Sequence, residues 1–501
     1  MRRNLGINHP ARRLTAGSRV MLESYEGTQS SPHRRSPAVT IKTQDLMLDK
    51  RKRKVGTATI REQLTNSELL AWIVRKHLDY VSRFEINFRS GDKQLDAEVK
   101  SLLDWHGRRE NFDIARRHNR NQWMWIFEMT KVVNGDASGI KLKTGQLQGL
   151  DSSQIAKPDD WGNNKDRKKQ DKVSDHGLIL GQYGETLEYC VCTRNKSGRL
   201  IFDHFEKAVN MVYDGYFTGF NQTRGHSPLL ASINNTIDLS DIILYTKINL
   251  KLKNIFGMAV FRDTADPLGN SNQYTDETDE DTGETTATSI SPDQINILDL
   301  DQNDKIEPFE TNSPGANSMD FMDKLTRAVM LALDIPYTSF DSSKASFSAR
   351  IGDRSEYEKS AELKRDKNAQ ILREIYAWRI SDWYNNNAQF RDIADKAGFD
   401  AGMIIRRMDI IPTGTPWMDK LNEVKGDILA VSLGLENIPR LARKRGVDAY
   451  EIMQEQAEYL KAAKDAGVPV FYAAGGQEAV QNILTEPANQ NPNGDSQNGQ
   501  Q

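Results

Sequence analysis

Between residues 60 and 81 the apolar side chains Leu64, Leu69, Ile73, Leu78 and Val81 recur at helical spacing. That spacing predicts an amphipathic helix. Similar patterns predict helices over residues 95–105 and 112–125, the latter carrying Arg116, Arg117 and Arg120. The period then shortens. Residues 124–129 are expected to lead into strands, with turn signals at Asn134-Gly135-Asp136 and Ser138-Gly139. Residues 147–150, 178–180, 187–193 and 200–205 read as further short strands, and the polar stretch 157–172 as a loop. Together these elements predict an α+β domain.

At Arg224-Gly225-His226-Ser227-Pro228-Leu229 the helical period returns. Ser227 suits an N-cap and Pro228 a first helical position. Leu230, Ile233, Ile237, Leu244, Ile248 and Ile255 then mark one stripe of a helix ending near residue 256. Thirty residues at helical rise reach roughly 45 Å, long for a small domain. Residues 266–288 are polar and acidic and predict an exposed loop; 295–306 and Phe309 predict short strands. A second helix is expected over 315–333, stopped by Ile335-Pro336. A loop of small polar residues carrying Lys344 follows, then a long helix to about residue 385. Residues 417–467 predict at least two more helices, broken at Gly434 and Asn437-Ile438-Pro439. The last sixteen residues are low in complexity and read as disordered.

Charge adds what periodicity does not show. The 501 residues carry a net −3, but unevenly. Residues 1–60 hold thirteen Lys or Arg against four Asp or Glu, a net of +9; residues 266–310 hold one Lys against thirteen acids, a net of −12. A basic arm suits nucleic acid or an acidic partner, and an acidic segment suits a solvated loop or one that keeps DNA from adhering. With 38% hydrophobic and 27% charged residues and no run of eighteen apolar ones, no membrane span is expected. The two cysteines, Cys190 and Cys192, share one face of a predicted strand and read as small buried hydrophobes.

The chemistry-bearing motifs are missing. There is no phosphate cradle of the G-x-x-x-x-G-K-[ST] type, no dinucleotide fingerprint, no H-E-x-x-H and no G-x-S-x-G. His204-Phe205-Glu206 matches H-x-E, but no P-C-x-x-C follows. His226 reads as a turn residue. No catalytic, cofactor-binding or metal-binding residue is expected, and the chain is not expected to be an enzyme.

Four stretches resemble the portal proteins of tailed bacteriophages, closest to the lambda-like branch. Arg224-Gly225-His226-Ser227-Pro228-Leu229 is similar to the R-G-x-S-P-L that opens a portal stem helix. Leu333-Asp334-Ile335-Pro336-Tyr337 is similar to the G-[LI]-P-Y before the tunnel loop, and Ser346-Phe347-Ser348-Ala349-Arg350 to the N-Y-S-S-x-R after it. Trp417-Met418-Asp419-Lys420-Leu421-Asn422-Glu423 is similar to W-x-D-P-x-K-E, followed in order by Gly434-Leu435 and by Arg445-Gly446-Val447-Asp448. The likeness spans roughly residues 50–467. It departs where the Asn of N-Y-S-S-x-R is absent, where Lys420 replaces a Pro, and where the acidic stretch reads as an insertion.

The resemblance implies a portal fold: an α/β wing, a long helical stem, a small α/β clip and a helical crown, assembled as a ring. Carried onto this chain, it implies a disordered basic arm (1–55), wing (56–223), stem helix (224–256), clip with acidic loop (257–314), second stem helix (315–336), tunnel loop (337–350), long helix and wing–crown connection (351–416), crown (417–485) and disordered tail (486–501). It implies a homo-oligomer, a dodecamer, at one capsid vertex of the virion, assembled in the host cytoplasm. Non-specifically held double-stranded DNA, the large terminase subunit, major capsid and scaffold proteins and a head–tail adaptor are the implied partners, with packaging and ejection as the processes served. Lys344, Ser346, Ser348 and Arg350 would line the DNA channel. Asp276, Glu277, Asp279, Glu280, Asp281 and Glu284 would lie at the clip and meet DNA or the motor. Two rival readings differ in what they predict. A nuclease or other DNA-binding protein predicts metal-dependent cleavage and a basic folded core, and a helical scaffold of non-viral type predicts no ring.

Overall fold

The computed structural model describes residues 45, 49–162, 164–255, 259–260, 298–299, 316–343, 345–414 and 419–468. The acidic six, Lys344, most of the basic arm and of the expected clip, and the tail lie outside the described residues.

The chain enters through helices α1 (Lys50–Asn66) and α2 (Glu68–Val81). The periodicity predicts one helix here; Ser67 splits it, capping α2 by accepting the Leu70 N–H. Helix α1 starts at Lys50, inside the stretch assigned to the disordered arm, because the Asp49 carboxylate accepts the Lys52 N–H at its start. Strand β1 (Phe84–Phe88) and helix α3 (Lys93–Gly107) follow, then a single turn, Arg109–Phe112.

The next stretch departs most from expectation. Residues 113–119 are not helical. The buried Asp113 carboxylate accepts the backbone N–H groups of Ala115, Arg117 and His118 and knots the chain into a loop, in which Arg116 takes a positive φ of 57°. Helix α4 (Arg120–Asn134) then begins in a reciprocal cap between Asn119 and Gln122. Residues 124–129, expected to lead into a strand, are its middle. Their apolar run is buried on several sides, and periodicity alone does not separate a buried helix from a strand. Gly135, at φ 96°, ends it.

Strands β2 (Asp136–Lys141), β3 (Leu147–Leu150), β4 (Leu178–Leu180), β5 (Thr186–Arg194), β6 (Leu200–Lys207) and β7 (Met211–Gly215) form two antiparallel sheets, in the orders β3-β2-β7 and β4-β5-β6. The expected loop before β4 contains a short helix, Arg167–Lys172. Cys190 and Cys192 are free and fully buried on β5, as their spacing predicts.

After one 3-10 turn, Pro228–Ala231, helix α5 (Ile233–Ile255) leaves the body. Helix α6 (Ala316–Met330) returns beside it. Helix α7 (Phe347–Asn386) is 40 residues long. Helices α8 (Ala388–Lys396) and α9 (Ala401–Arg407) and strand β8 (Met408–Pro412) close the body, β8 pairing antiparallel with β1 across more than three hundred residues of sequence. Helices α10 (Lys420–Ser432), α11 (Ile438–Lys444) and α12 (Ala449–Asp465) end the described chain. The architecture is α+β.

Two main cores hold the body. One joins β1, α3, α4, α8, α9 and β8 around the second half of α7, with Tyr376, Phe390 and Phe112 fully buried. The other joins α1, α2, the end of α6 and residues Tyr357 and Ala361 of α7. Helix α7 runs through both.

Candidate functional site: the turn into α5 and the α6–α7 connection

The site is built around two groups buried within the body. Asp136 opens β2 and Arg224 precedes α5; they are 1% and 2% exposed. Arg224 Nε and Nη2 donate to the two Asp136 carboxylate oxygens at 2.7 and 2.9 Å. Its remaining N–H groups donate to the carbonyls of Ile155, His176 and Ser152. Arg53 of α1, the Tyr213 hydroxyl of β7 and the Gly225 N–H also donate to Asp136. Burial alone would raise the Asp136 pKa, but Arg224 and Arg53 hold it below the carboxylate range. Ser227 Oγ donates to the Val132 carbonyl, tying the turn to the end of α4. Gly225 crosses Gly135 so closely that a Cβ on Gly225 would lie 2.0 Å from the Gly135 oxygen. The R-G-x-S-P-L signature is therefore a clamp. Its Arg neutralises a buried acid, its Gly lets two backbones cross, and its Ser and Pro start the exit toward α5.

A second buried cluster sits where α4 meets α7. Lys131 Nζ lies 2.8 Å from Glu128 and 2.6 Å from Asp214, and donates to Asn368 of α7. Asn368 in turn donates to the Val81 carbonyl. Glu128 accepts from the Tyr216 hydroxyl at 2.7 Å and lies 3.1 Å from His77 Nε2. Burial pushes the His77 pKa down, so the ring is neutral at pH 7 and donates from Nε2.

These clusters fix the elements on either side of the α6–α7 connection. At its entry, Asp334 takes a positive φ of 61° at the end of the helix. Its carboxylate accepts from Ser360 Oγ at 2.6 Å and Lys364 Nζ at 2.9 Å, both on α7. The Tyr337 hydroxyl donates to Asp323, and Arg327 stacks 4.4 Å above the Tyr337 ring. Thr338 donates to Asp353 at 2.8 Å, and Phe340 meets Trp72 edge to face. At the exit, Ser346 Oγ accepts the Ala349 N–H and caps α7.

The loop is thus shorter than expected. Ser346 is the cap, while Ser348 and Arg350 lie on the exposed first turn of α7 rather than in the loop. Arg350 forms no ion pair among the described residues. Asp353 serves Thr338. Asp334 escaped the sequence reading as an anchor; an acid between a helix and Ile-Pro was its only local signal. Asp136 gave none, because its partner stands 88 positions away.

The sequence profile described as phage portal protein, lambda family, matches residues 38–359. The chain belongs to that family. The R-G-x-S-P-L, I-P-Y and S-x-S-x-R stretches of the portal signature all fall within the match, and the first two have just been shown to clamp and anchor. The fold comparison returns chains from gene transfer agent particles. The chain is similar to one from the virion of a native gene transfer agent particle (TM-score 0.36, 10% identity, 78% of this chain and 93% of that one). It is also similar to chains from the neck of the empty particle (0.38, 10%, 78% and 93%) and of the native particle (0.37, 11%, 80% and 94%). No curated protein sequence matches it.

Proposed function

We propose that the chain is a structural, non-enzymatic portal subunit. Copies of it close into a ring at one capsid vertex, whose channel passes double-stranded DNA during packaging and ejection. The ring docks the terminase motor and later the head–tail adaptor, and contacts capsid and scaffold proteins during assembly. Membership of the lambda portal family carries the reading.

The surface of a single copy supports assembly. Helices α5 and α6 run out of the body together, and away from it their apolar side chains lack cover. Leu244 is 53% exposed, Tyr245 63%, Met319 53% and Phe321 53%. An exposed patch of this kind along a helical hairpin calls for a partner, and repeating one heterologous contact around an axis closes a ring. The α6–α7 connection carries no fixed cation cluster in its described part, which suits a surface that DNA slides past rather than grips, since each neutralised phosphate adds to hold-up.

Mass photometry with negative-stain imaging tests this. The expected species is a ring near twelve times 56.8 kDa. A monomer at every concentration and salt overturns the proposal. Within an assembled ring, Lys344→Ala with Arg350→Ala is expected to leave ring yield unchanged and to lower the DNA content of particles. Normal genome content removes the connection from the mechanism.

A further inference from the structure

Beyond the channel, the loop knotted by Asp113 borders a surface cleft of about 560 Å³. Its lining is dominated by guanidinium groups: Arg108, Arg109, Arg117 and Arg120, against Asp104 and Glu110. The charges do not cancel locally. Arg109 is taken by Glu110 at 2.7 Å. Arg108, Arg117 and Arg120 have no ion pair among the described residues. Arg120 reaches only the Tyr376 hydroxyl, at 3.5 Å, and its Nε is buried without a hydrogen-bond partner.

Two features show that the cleft is held in shape. Behind Arg120 lies the fully buried aromatic layer of Tyr376 and His106, edge to face at 5.5 Å. The wall of the cleft is the loop in which Asp113 accepts three backbone N–H groups and Arg116 bears a positive φ. That conformation is unfavourable for an Arg, and the knot holds the loop in it, with Arg117 on the cleft side. The field of the guanidinium groups reaches the buried layer behind Arg120. His106 is pushed down to about 3, first by burial and then by Arg379 and Arg120.

Guanidinium groups converging on one solvent-filled cleft without carboxylates to match are suited to phosphate oxyanions, which they bind through forked, charge-assisted hydrogen bonds. We propose that this cleft is a phosphate-binding site on the outside of the α+β body, and that it takes backbone phosphates of duplex DNA without sequence preference. None of its lining residues belongs to the α6–α7 connection, so the proposal does not depend on the channel reading. Phosphodiester and free inorganic phosphate share the chemistry, and the experiment separates them.

The test uses the full-length assembled protein, a labelled 20-base-pair duplex, and inorganic phosphate as a separate probe. Arg108→Glu with Arg117→Glu reverses two exposed charges and leaves Arg120 on Tyr376. Lys196→Glu with Arg199→Glu, on the exposed β5–β6 turn, is the matched control. The cleft variant is expected to weaken duplex binding on the order of tenfold and to make its salt dependence shallower by about two, one for each lost phosphate contact. The control is expected to change binding less than about twofold. Hydrogen exchange supplies a readout that the basic N-terminal arm cannot mask: duplex is expected to protect amides of residues 108–122 in the wild type but not in the cleft variant. Protection by inorganic phosphate alone, with none from duplex, assigns the site to a small anion and overturns the DNA proposal. Equal losses in both variants, no protection, or protection by polyglutamate but not by phosphate groups also overturns it.

Discussion

In the α+β body Arg224 and Asp136 are almost wholly buried and meet in two matched hydrogen bonds, and in the core around α7 Tyr376, Phe390 and Phe112 are fully buried. In α10–α12 only Ala463 is buried. There Leu433 is 65% exposed, Leu435 72%, Ile438 65% and Met453 61%. These helices touch the body through charge: Arg89 with Asp448 at 3.0 Å and over the Tyr450 ring at 4.1 Å, Lys100 with Glu451 at 2.8 Å, and Arg443 with Asp409. The body completes its own interior. The C-terminal helices have capped ends, with Asp419, Asn437 and Asp448 each accepting an N–H of the first turn, but they have no interior. Cap and propensity suffice to shape a helix, whereas burying its apolar stripe needs another surface, and the described residues of one chain do not provide it.

Breaking the body's clamp tests the contrast most strongly. Arg224→Met removes the principal counter-charge of a buried Asp136 and leaves Arg53 as its one cation, which costs about 3–5 kcal/mol. The main thermal transition is expected to fall by on the order of 10 °C, and soluble yield to fall with it. A transition within a degree of wild type would show that the pair is not what holds β2 to α5. Gly225→Ala acts through the crossing with Gly135; its Cβ forces a backbone shift costing about 2–3 kcal/mol, read as a smaller drop of the same transition.

Acid separates the two regions by mechanism. His77 and His106 are held neutral by burial, so the unfolded chain binds more protons than the folded one below its ordinary histidine value of 6.5. Their contribution is complete above pH 6.5 and is lost as the pH falls below it, by up to about 1.4 kcal/mol per unit per histidine, for His106 down to about 3. Asp136 and Glu128, held low by their cationic partners despite burial, add a loss of the same sign once the pH passes below their ordinary values of 3.8 and 4.5. Thermal melts between pH 7 and 4 are expected to show a steady fall in the body transition, and a flat profile would contradict the neutral assignment.

The smallest effect is expected at the charged latch. Arg89→Ala with Lys100→Ala removes exposed pairs worth up to about 1 kcal/mol each. The body melt is expected to be nearly unchanged, while protease cuts between residues 412 and 420 faster, most of all at high salt. An unchanged cutting rate would show that other contacts fasten the C-terminal helices.

How far the sequence could be read follows the same division. The stripe of α2, the β5 cysteines, the cap at Ser227 and the end of α7 depend on near neighbours and were legible. Residues 112–119 were not, because the Asp113 side chain competes for backbone N–H groups that a helix would otherwise use. Strands β1 and β8 were missed, since each is five residues long and finds its partner at the far end of the fold. Arg224 was visible as part of a signature, but its role as the counter-charge of Asp136 depends on a contact that no local pattern encodes. Ser348 and Arg350 were placed in a loop because small polar residues read as coil, yet a Ser cap is enough to start the helix four residues earlier, at Phe347.

Helix α7 gives the molecule a mechanical property. At 1.5 Å per residue its 40 residues form a rod of about 60 Å. Past its first turns the rod is gripped twice, at Tyr357 and Ala361 in one core and from Ile371 to Trp383 in the other. Its free tip bears Ser348 and Arg350. Between tip and first grip lies Gly352, with nothing within 4 Å of where a Cβ would stand, at a position where glycine loosens a helix by about 1 kcal/mol. Load applied at the α6–α7 connection therefore meets a compliant joint first and a stiff beam after it. Small deflections are absorbed near Gly352, while larger ones turn the beam as a whole and are felt at once in both cores.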